Sequence, residues 1–339
     1  MHLLVGNPTA QSGRNAGRID VARLLLTKEG IDHDFLATRP EGKTVGDVAR
    51  ALEGGTYSTV ISMGGDGTFS EVGNGILRSG ADVALAMLPT GTANDQGKSF
   101  GLDSRDVDLP RNVRVIAEGH TAPLDAGRIV GYGSLDEELA RGHFFDSAGW
   151  GFSALVLRMR NEDRRLVGGV PILRELYRDH AVYAGAILRA LALSTFTEQP
   201  FEAEVTTAEG TIFLEGLTEL ILKNTRIYAG AWILDPTCSP EDGEMELVPF
   251  RGREELLTRG VIHHQHVPLD ESPLHALGRP LSASIRAPWF DIRLRPRPLA
   301  QAPESQLDGE EWQRAERFHI TVLRHALRLV VPASLDAPA

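Results

Sequence analysis

Short apolar segments alternate with amphipathic segments along the first quarter of the chain, and this alternation constrains the fold more than any other feature of the sequence. The strand-like segments are 2–5, 33–38, 59–63 and 83–89. The segments with apolar side chains at helical spacing are 18–30, 45–55 and 68–80. Strands that alternate with helices predict a doubly wound parallel sheet covered by helices on both faces.

After about residue 124 the pattern changes to alternation with a period of two, which indicates antiparallel strands. The strand-like segments here are 143–152, 201–207, 211–216, 217–224, 244–250 and 282–296, and one long helical insert is predicted at about 171–195. The fold class is therefore α/β with a second, antiparallel β-rich domain. We predict a first domain at 1–124, a second at 125–317, and a final strand, 318–332, that is able to return to the first.

The composition excludes some functional classes. The chain has 339 residues and a net charge of −11, which argues against a nucleic-acid-binding protein. A single cysteine, Cys238, excludes an intrachain disulfide framework. The N-terminal segment has no signal-peptide pattern, and the apolar segment 181–196 contains Arg189 and is shorter than the roughly 20 residues of a spanning helix. We therefore expect a cytoplasmic protein whose membrane contact, if any, is peripheral.

Three glycines, Gly64, Gly65 and Gly67, lie between a predicted strand and a predicted helix. Backbone N–H groups in such a turn, together with the positive end of the helix dipole, can bind an anion such as phosphate. A tight turn that binds nothing is an equally good interpretation of the glycines alone. Asp66 inside the turn favours a Mg²⁺-bound nucleotide, since a bare phosphate would be repelled; the alternative is a carboxylate that caps turn amides.

The later segment GTANDQGKS, at 91–99, resembles a P-loop but has five residues, not four, between its first glycine and Gly-Lys. We therefore do not interpret it as a P-loop. Lys98 is interpreted as a solvated surface charge.

Four motifs in a fixed order over nearly the whole chain resemble the diacylglycerol kinase catalytic family, which includes bacterial soluble lipid kinases, sphingosine kinases and ceramide kinases. They are NPTAQSG at 7–13, GGDGT at 64–68 followed by Glu71, LPTGTAND at 88–95 and LDGEEW at 307–312. The GGDGT element alone is shared with NAD kinases and phosphofructokinases. The resemblance implies an ATP- and Mg²⁺-dependent lipid kinase that transfers the γ-phosphoryl group to a lipid alcohol such as diacylglycerol.

The resemblance also implies which residues bind the nucleotide. These are Asn7, Pro8, Thr9, Thr38, Gly64, Gly65, Asp66, Gly67, Thr68, Phe69, Ser70 and Thr92. The chain departs from the family pattern after Thr9, where an Ala-Gln pair is inserted.

Two Asp-Gly-Glu triplets have different implied roles. The first lies in SPEDGEMEL, 239–247, which resembles the family's structural magnesium loop. There the resemblance implies a Mg²⁺ ligand in the Asp242 carboxylate and two more in the main-chain carbonyls of Ser239 and Glu244. An acidic β-turn is the alternative.

The second triplet, 308–310, matches the catalytic one, so the resemblance implies that Asp308 accepts the proton of the substrate hydroxyl, with Glu310 beside it. Two residues apart on an extended segment, the two side chains would point the same way. Without the resemblance, a solvated hairpin turn is the simpler interpretation.

The acceptor is harder to predict. A lipid needs an apolar groove, for which Trp150, Phe152 and the helical insert are candidates, although ordinary core packing is the favoured interpretation of all of them. The arginine-rich segment 158–178 could lie on an anionic bilayer, but a solvated helix is the alternative. An NAD kinase and a non-catalytic nucleotide- or lipid-binding protein remain as competing functions. A homodimer is compatible with the sequence, which does not fix the oligomeric state.

Overall fold

The computed structural model describes residues 1–9, 13–91, 93–167, 200–230, 232–252, 255, 282–296 and 301–333. Thr92 and the predicted helical insert at 171–195 lie outside these ranges. Within them, no helix is both long enough and apolar enough to cross a membrane.

The first part of the chain forms the predicted α/β unit. Its elements are β1 (His2–Gly6), α1 (Arg14–Lys28), β2 (His33–Ala37), α2 (Lys43–Leu52), β3 (Thr59–Gly64), α3 (Asp66–Ser79), β4 (Ala84–Pro89), α4 (Asp95–Ser99), a 3-10 turn (Asp106–Asp108) and α5 (Leu109–Glu118). The four strands are parallel in the order β2-β1-β3-β4. Every residue of β3 and β4 is buried, as expected for strands covered on both faces.

The helices cover the two faces in pairs. Helix α2 packs against α3, and α1 packs against α5. The crossover from β1 to β2 moves in one direction across the sheet, and the crossovers to β3 and then to β4 move in the opposite direction. Because βαβ crossovers are right-handed, α1 lies on one face of the sheet and α2 and α3 lie on the other.

The remaining described residues form the predicted antiparallel β-rich part. Its elements are β5 (Thr121–Tyr132), β6 (Glu138–Phe144), β7 (Ser147–Gly151), α6 (Phe152–Val167), β8 (Phe201–Thr207), β9 (Gly210–Lys223), β10 (Ile227–Tyr228), β11 (Trp232–Ile233), β12 (Met245–Arg251), β13 (Ile285–Ala287), β14 (Trp289–Arg295), β15 (Ser305–Leu307), β16 (Glu310–Trp312) and β17 (Arg317–Val330).

Three predicted strand assignments differ from the structure. The predicted strand 143–152 is divided at residues 145–146, between β6 and β7. Segments 211–216 and 217–224 form the single strand β9, whose pairing register shifts near Gly216, a residue with φ of 67°. The predicted strand 282–296 is instead divided at Pro288, which has no N–H group to donate to a neighbouring strand.

Strand β17 joins the two parts of the molecule. It pairs antiparallel with β14 and β5, and near its end it pairs parallel with β4, with Arg328 opposite Ala84. The sheet is therefore continuous, in the order β16-β15-β7-β9-β8-β14-β17-β4-β3-β1-β2. The final strand thus pairs with strands of both the parallel and the antiparallel part of the sheet.

The first turn of helix α6 is hydrogen-bonded to a buried carboxylate. Glu219 on β9 is fully buried, and it accepts hydrogen bonds from the backbone N–H of Ser153, at 2.6 Å, and from the Ser153 hydroxyl. Burial raises the pKa of Glu219 to about 8, against an ordinary value of 4.5, and the hydrogen bonds from Ser153 oppose this shift only in part.

Glu219→Gln should therefore change how stability depends on pH. Because the folded pKa is raised, the protonated carboxyl stabilises the fold at low pH, and this stability is lost as the pH rises from 4.5 towards 8. Glutamine does not titrate, so the stability of the variant relative to wild type should rise by about 1.4 kcal/mol per pH unit in that window. Urea unfolding at about pH 5.5 and about pH 7.5 measures this difference. Glu215→Gln, at an exposed position on the same strand, is the control, and an equal pH response in both variants would contradict the prediction.

Candidate active site

The carboxyl ends of the parallel strands bring several predicted residues to one edge of the sheet. Asn7 follows β1, Thr38 follows β2 and Gly65 follows β3. The backbone N–H of Thr38 donates to the carbonyl of Gly6 at 2.9 Å, and that of Thr90 donates to the carbonyl of Gly64 at 2.8 Å. Ligands of open α/β sheets bind at this edge.

The segment after β1 is a turn organised by the Asn7 side chain. Asn7 Oδ1 accepts hydrogen bonds from the backbone N–H of Thr9 at 3.0 Å and from its hydroxyl at 2.9 Å. Asn15 Nδ2 donates to the Asn7 carbonyl at 2.7 Å. The Asn7 amide thus shapes the turn around Pro8, and Thr9 is the exposed residue of the three.

The glycine loop is a close-packed turn that opens into the amino end of α3. A Cβ on Gly64 would lie 2.3 Å from Thr68 Oγ1, and one on Gly65 would lie 3.1 Å from the Cα of Gly91. Neither glycine has a positive φ, so close packing is what requires glycine here. The first helical hydrogen bond runs from Phe69 N to Gly65 O, so the amide of Gly67 precedes the ladder and is available to an anion.

Phe69 faces the core. Its ring is buried and meets the ring of Phe145 edge to face, with centroids 5.8 Å apart. Phe145 also lies against Gly73, where a Cβ would come within 2.6 Å of Phe145 Cζ. Only the backbone of Phe69 is thus left for the predicted nucleotide contact, and α3 is pressed against the loop that carries Phe145.

The loop after β4 is not a P-loop, as the sequence predicted. Asn94, with φ of 52°, closes the loop through hydrogen bonds to the N–H and carbonyl of Gly91, at 2.8 and 2.7 Å. The helix that follows, α4, is only five residues long. The interpretation of Lys98 as a solvated charge is wrong, because its half-buried ammonium donates to the carbonyl of Gly230.

The second Asp-Gly-Glu triplet forms a hairpin turn, so the expectation that Asp308 and Glu310 lie on one extended segment and point the same way is wrong. Asp308 and Gly309 have φ of 47° and 75° and connect β15 to β16. This hairpin folds back to the glycine loop: a Cβ on Gly67 would lie 3.3 Å from Glu310 Oε1. The Ser70 hydroxyl of α3 bonds the Asp308 carboxylate. The two ends of the predicted site therefore meet.

Asp308 is buried inside a ring of backbone amides. Its Oδ1 accepts hydrogen bonds from the N–H groups of Phe145, Asp146 and Ser147, at 3.0, 2.7 and 3.2 Å. Burial raises the pKa of Asp308 to about 7 and the charge of Asp146 adds to this rise, while the amides and Ser70 oppose it. Glu310, in contrast, is exposed. The turn is thus a hairpin as in the simpler interpretation, but one of its carboxylates is not solvated.

Three charged residues that the sequence analysis missed surround the site: Asp95, Asp146 and Lys223. Burial, followed by repulsion from Asp146, raises the pKa of Asp66 to about 6 and the pKa of Asp95 well above its ordinary value. Lys223, which is 1% exposed, donates from Nζ to Asp146 Oδ1 at 2.6 Å. Opposite charges inside two apolar strand-like segments, at Asp146 and Lys223, were the signal that could have suggested a buried pair.

The two predicted magnesium positions differ in how well they fit the ion. Carboxylate oxygens are hard ligands, and a cation beside Asp66 would offset the burial and the repulsion from Asp146 that together raise its pKa. No group of three or more candidate ligands occurs among the described residues, so an ion at Asp66 would need further oxygens from a bound phosphate or water. Gln96 N already donates to Asp66 Oδ1 at 3.1 Å.

The loop at 239–244 does not fit the implied Mg²⁺. Asp242 Oδ2 is paired with the guanidinium of Arg286, and Asp242 Oδ1 accepts the N–H of Glu244 at 2.9 Å. A divalent cation would have to share this carboxylate with an arginine. Ser239 is half-buried in the same loop.

The predicted acceptor residues have different surroundings. Trp150 is 1% exposed and packs on Phe318 with ring centroids 4.9 Å apart, so it belongs to the core and does not line a groove. Phe152, at the start of α6, is partly exposed and packs with Val156 and Met159 in a small separate apolar cluster.

Comparison with known proteins agrees with the motifs. Residues 1–129 match the family model of the diacylglycerol kinase catalytic domain. Over 126 residues the chain is 34% identical to the diacylglycerol kinase of Staphylococcus epidermidis, a match that covers 37% of this chain and 39% of that protein. It is 24% identical over 326 residues to the "Probable lipid kinase YegS-like" protein of Pseudomonas aeruginosa, covering 95% of this chain and 92% of that protein.

Solved structures share the fold. A crystal structure of a diacylglycerol kinase from Bacillus anthracis superposes with a TM-score of 0.66 at 16% identity, and covers 98% of this chain and 97% of that one. These findings confirm the resemblance stated from the motifs and the predicted α/β fold with its antiparallel part.

Proposed function

We propose that this chain, whose residues 1–129 match the diacylglycerol kinase catalytic domain, is a lipid kinase that transfers the γ-phosphoryl group of ATP to the hydroxyl of a lipid alcohol such as diacylglycerol. One observation carries the proposal. The hairpin that bears Glu310, 243 positions along the chain from Gly67, places its carboxylate beside that glycine at the amino end of α3. A proton acceptor and an anion cradle at the same place are what phosphoryl transfer to an alcohol requires.

The glycine loop suits a triphosphate although it lacks a lysine. Phosphoryl transfer needs alignment and charge neutralisation more than covalent chemistry. The backbone amides of Gly67 and Thr68 would donate hydrogen bonds to phosphate oxygens. The positive end of the α3 dipole would stabilise the negative charge of the phosphate. Mg²⁺ that arrives with ATP would supply the remaining neutralisation, and Asp66 and Asp95 are the carboxylates available to hold it, directly or through water.

The two carboxylates of the hairpin divide the work in this proposal. Glu310 is exposed beside the phosphate loop, so it accepts the proton of the lipid hydroxyl. Asp308, to which the resemblance assigned this role, uses its oxygens to hold the amides of Phe145 and Ser147. It is therefore a positioning residue that fixes the hairpin against the turn between β6 and β7 and, through the Ser70 hydroxyl, against α3.

The acceptor would approach along α6. This helix packs against β15 and β16, the strands of the Glu310 hairpin. The partly exposed apolar cluster at its start, which includes Phe152 and Leu155, is suited to an acyl chain. Because such a substrate resides in a bilayer, peripheral membrane contact is part of the proposal.

One assay tests the proposal and its competitors. Labelled ATP and Mg²⁺ are incubated in parallel with diacylglycerol, sphingosine and phosphatidylglycerol in mixed micelles, and with NAD in solution. We expect label in a lipid product. Label in NAD alone would favour an NAD kinase, and ATP binding without transfer to any acceptor would favour a non-catalytic binding protein.

A further inference from the structure

The loop at 239–244, between β11 and β12, is fixed on its inner side by a buried carboxylate. Asp125 is fully buried, and its oxygens accept the N–H of Gly243 at 2.7 Å and the N–H of His325 at 2.6 Å. The N–H of Asp125 donates to the carbonyl of Pro240 at 2.7 Å. The loop is therefore anchored to β5 and β17 through one residue.

On its outer side the loop meets the guanidinium of Arg286. Arg286 lies on β13, directly opposite Glu246 on β12. Its guanidinium is paired with Asp242, with Glu244 at 2.9 Å and with Glu246 at 3.4 Å. One cation thus serves three carboxylates, two from the loop and one from the strand that follows it.

The charges at this position require a cation. Glu246 is 1% exposed, and its carboxylate lies 3.4 Å from the guanidinium of Arg286, the residue opposite it on β13. Without Arg286, the acidic residues 242, 244 and 246 would face one another without a neutralising group from β13. Arg286 is therefore the group that neutralises this acidic segment.

We propose that Arg286 is the built-in cation of the 239–244 loop: its guanidinium occupies the place that the resemblance assigned to a structural Mg²⁺, so the loop is ordered without any divalent ion. A Mg²⁺ bound at Asp242 would be repelled by the adjacent positive charge, and Arg286 would first have to leave three partners. This inference is independent of the proposed kinase activity.

Amide hydrogen exchange at Gly243 and Glu244 measures the order of the loop directly, because their N–H groups bond Asp125 and Asp242. Exchange is measured without nucleotide, in EDTA and in millimolar Mg²⁺. In the wild type, protection should be the same in both buffers. In Arg286→Gln the protection should fall by roughly tenfold in EDTA, because the substitution leaves the carboxylates without a cation. It should recover when Mg²⁺ is added, because the ion then supplies the missing positive charge.

Two variants complete the test. Arg295→Gln is the matched control, since Arg295 pairs with Glu204 on the neighbouring strands β14 and β8 and is 51% exposed. It should leave loop protection unchanged, and Arg286→Lys, which keeps the charge, should retain most of the protection. Two results would overturn the inference: protection of the wild-type loop that rises with Mg²⁺ and loses this rise in Asp242→Asn, or an Arg286→Gln loop as protected in EDTA as the wild type. Neither result depends on catalysis.

Discussion

Glu310→Gln should lower the rate of phosphoryl transfer by about 10²–10⁴-fold, the usual contribution of a general base, while the affinity for nucleotide and the melting temperature stay close to those of wild type. Glutamine keeps the shape of the side chain but cannot accept the proton of the lipid hydroxyl. The side chain is exposed and lies beside Gly67, so its replacement leaves the core undisturbed. Steady-state kinetics with lipid micelles, nucleotide titration calorimetry and thermal unfolding measure the three quantities.

Two further variants show whether the roles are assigned correctly. Glu311→Gln alters the neighbouring residue, whose side chain points to the opposite face of β16, and should retain activity. Asp308→Asn should lower both activity and melting temperature, because the Oδ2 atom that accepts the N–H of Phe145 at 3.1 Å is replaced by an NH₂ group, which cannot accept it. Full activity in Glu310→Gln would refute the assignment. If Asp308→Asn lost transfer while its stability was unchanged, Asp308 would be the base.

Lys223→Met should lower the free energy of unfolding by about 3–5 kcal/mol, the range found when one partner of a buried ion pair is removed. Lys223 and Asp146 are 1% and 4% exposed, and the substitution leaves the Asp146 carboxylate buried without its cation. Urea unfolding at neutral pH followed by circular dichroism measures the loss.

The double variant Lys223→Met/Asp146→Asn separates the ion pair from simple packing. It should recover much of the lost stability, because asparagine Oδ1 can still accept the hydroxyl hydrogen bond of Thr225 and its NH₂ group can donate to the Ser147 hydroxyl, without a buried charge. Lys43→Met removes a surface pair with Glu41 and should change stability by less than about 1 kcal/mol. A double variant no more stable than Lys223→Met would contradict the ion-pair explanation.

The first part of the fold could be predicted well because its signals are local. Strands β1, β3 and β4 are mainly apolar, and helical patterns follow each of the first three strands, which indicates the layer order. The glycine loop was also visible, since Gly64 and Gly65 interrupt that pattern. The reason for a glycine at position 65 was not visible in the sequence, because a side chain there is excluded by contact with Gly91 on the next loop.

The parts of the site that the sequence could not reveal depend on contacts between distant segments. A charge inside an apolar strand-like segment indicates a buried partner, but Asp146 and Lys223 are 77 positions apart and neither segment identifies the other as that partner. Asp308 was found by its motif, but its burial depends on amides at 145–147, which no local pattern around 308 contains. Lys98 was misinterpreted for the same reason, because its partner is the carbonyl of Gly230.

The path of β17 has a consequence for the order of folding during synthesis. Strand β4 has its second sheet neighbour only when residues 328–329 are available, although β4 itself is made some 240 residues earlier. While the ribosome completes the intervening chain, the nascent α/β layer therefore exposes an open edge of backbone donors and acceptors, a surface prone to pairing with other chains. Closure of that edge is one of the last steps of folding, and a chaperone that shields strand edges would act most usefully before it.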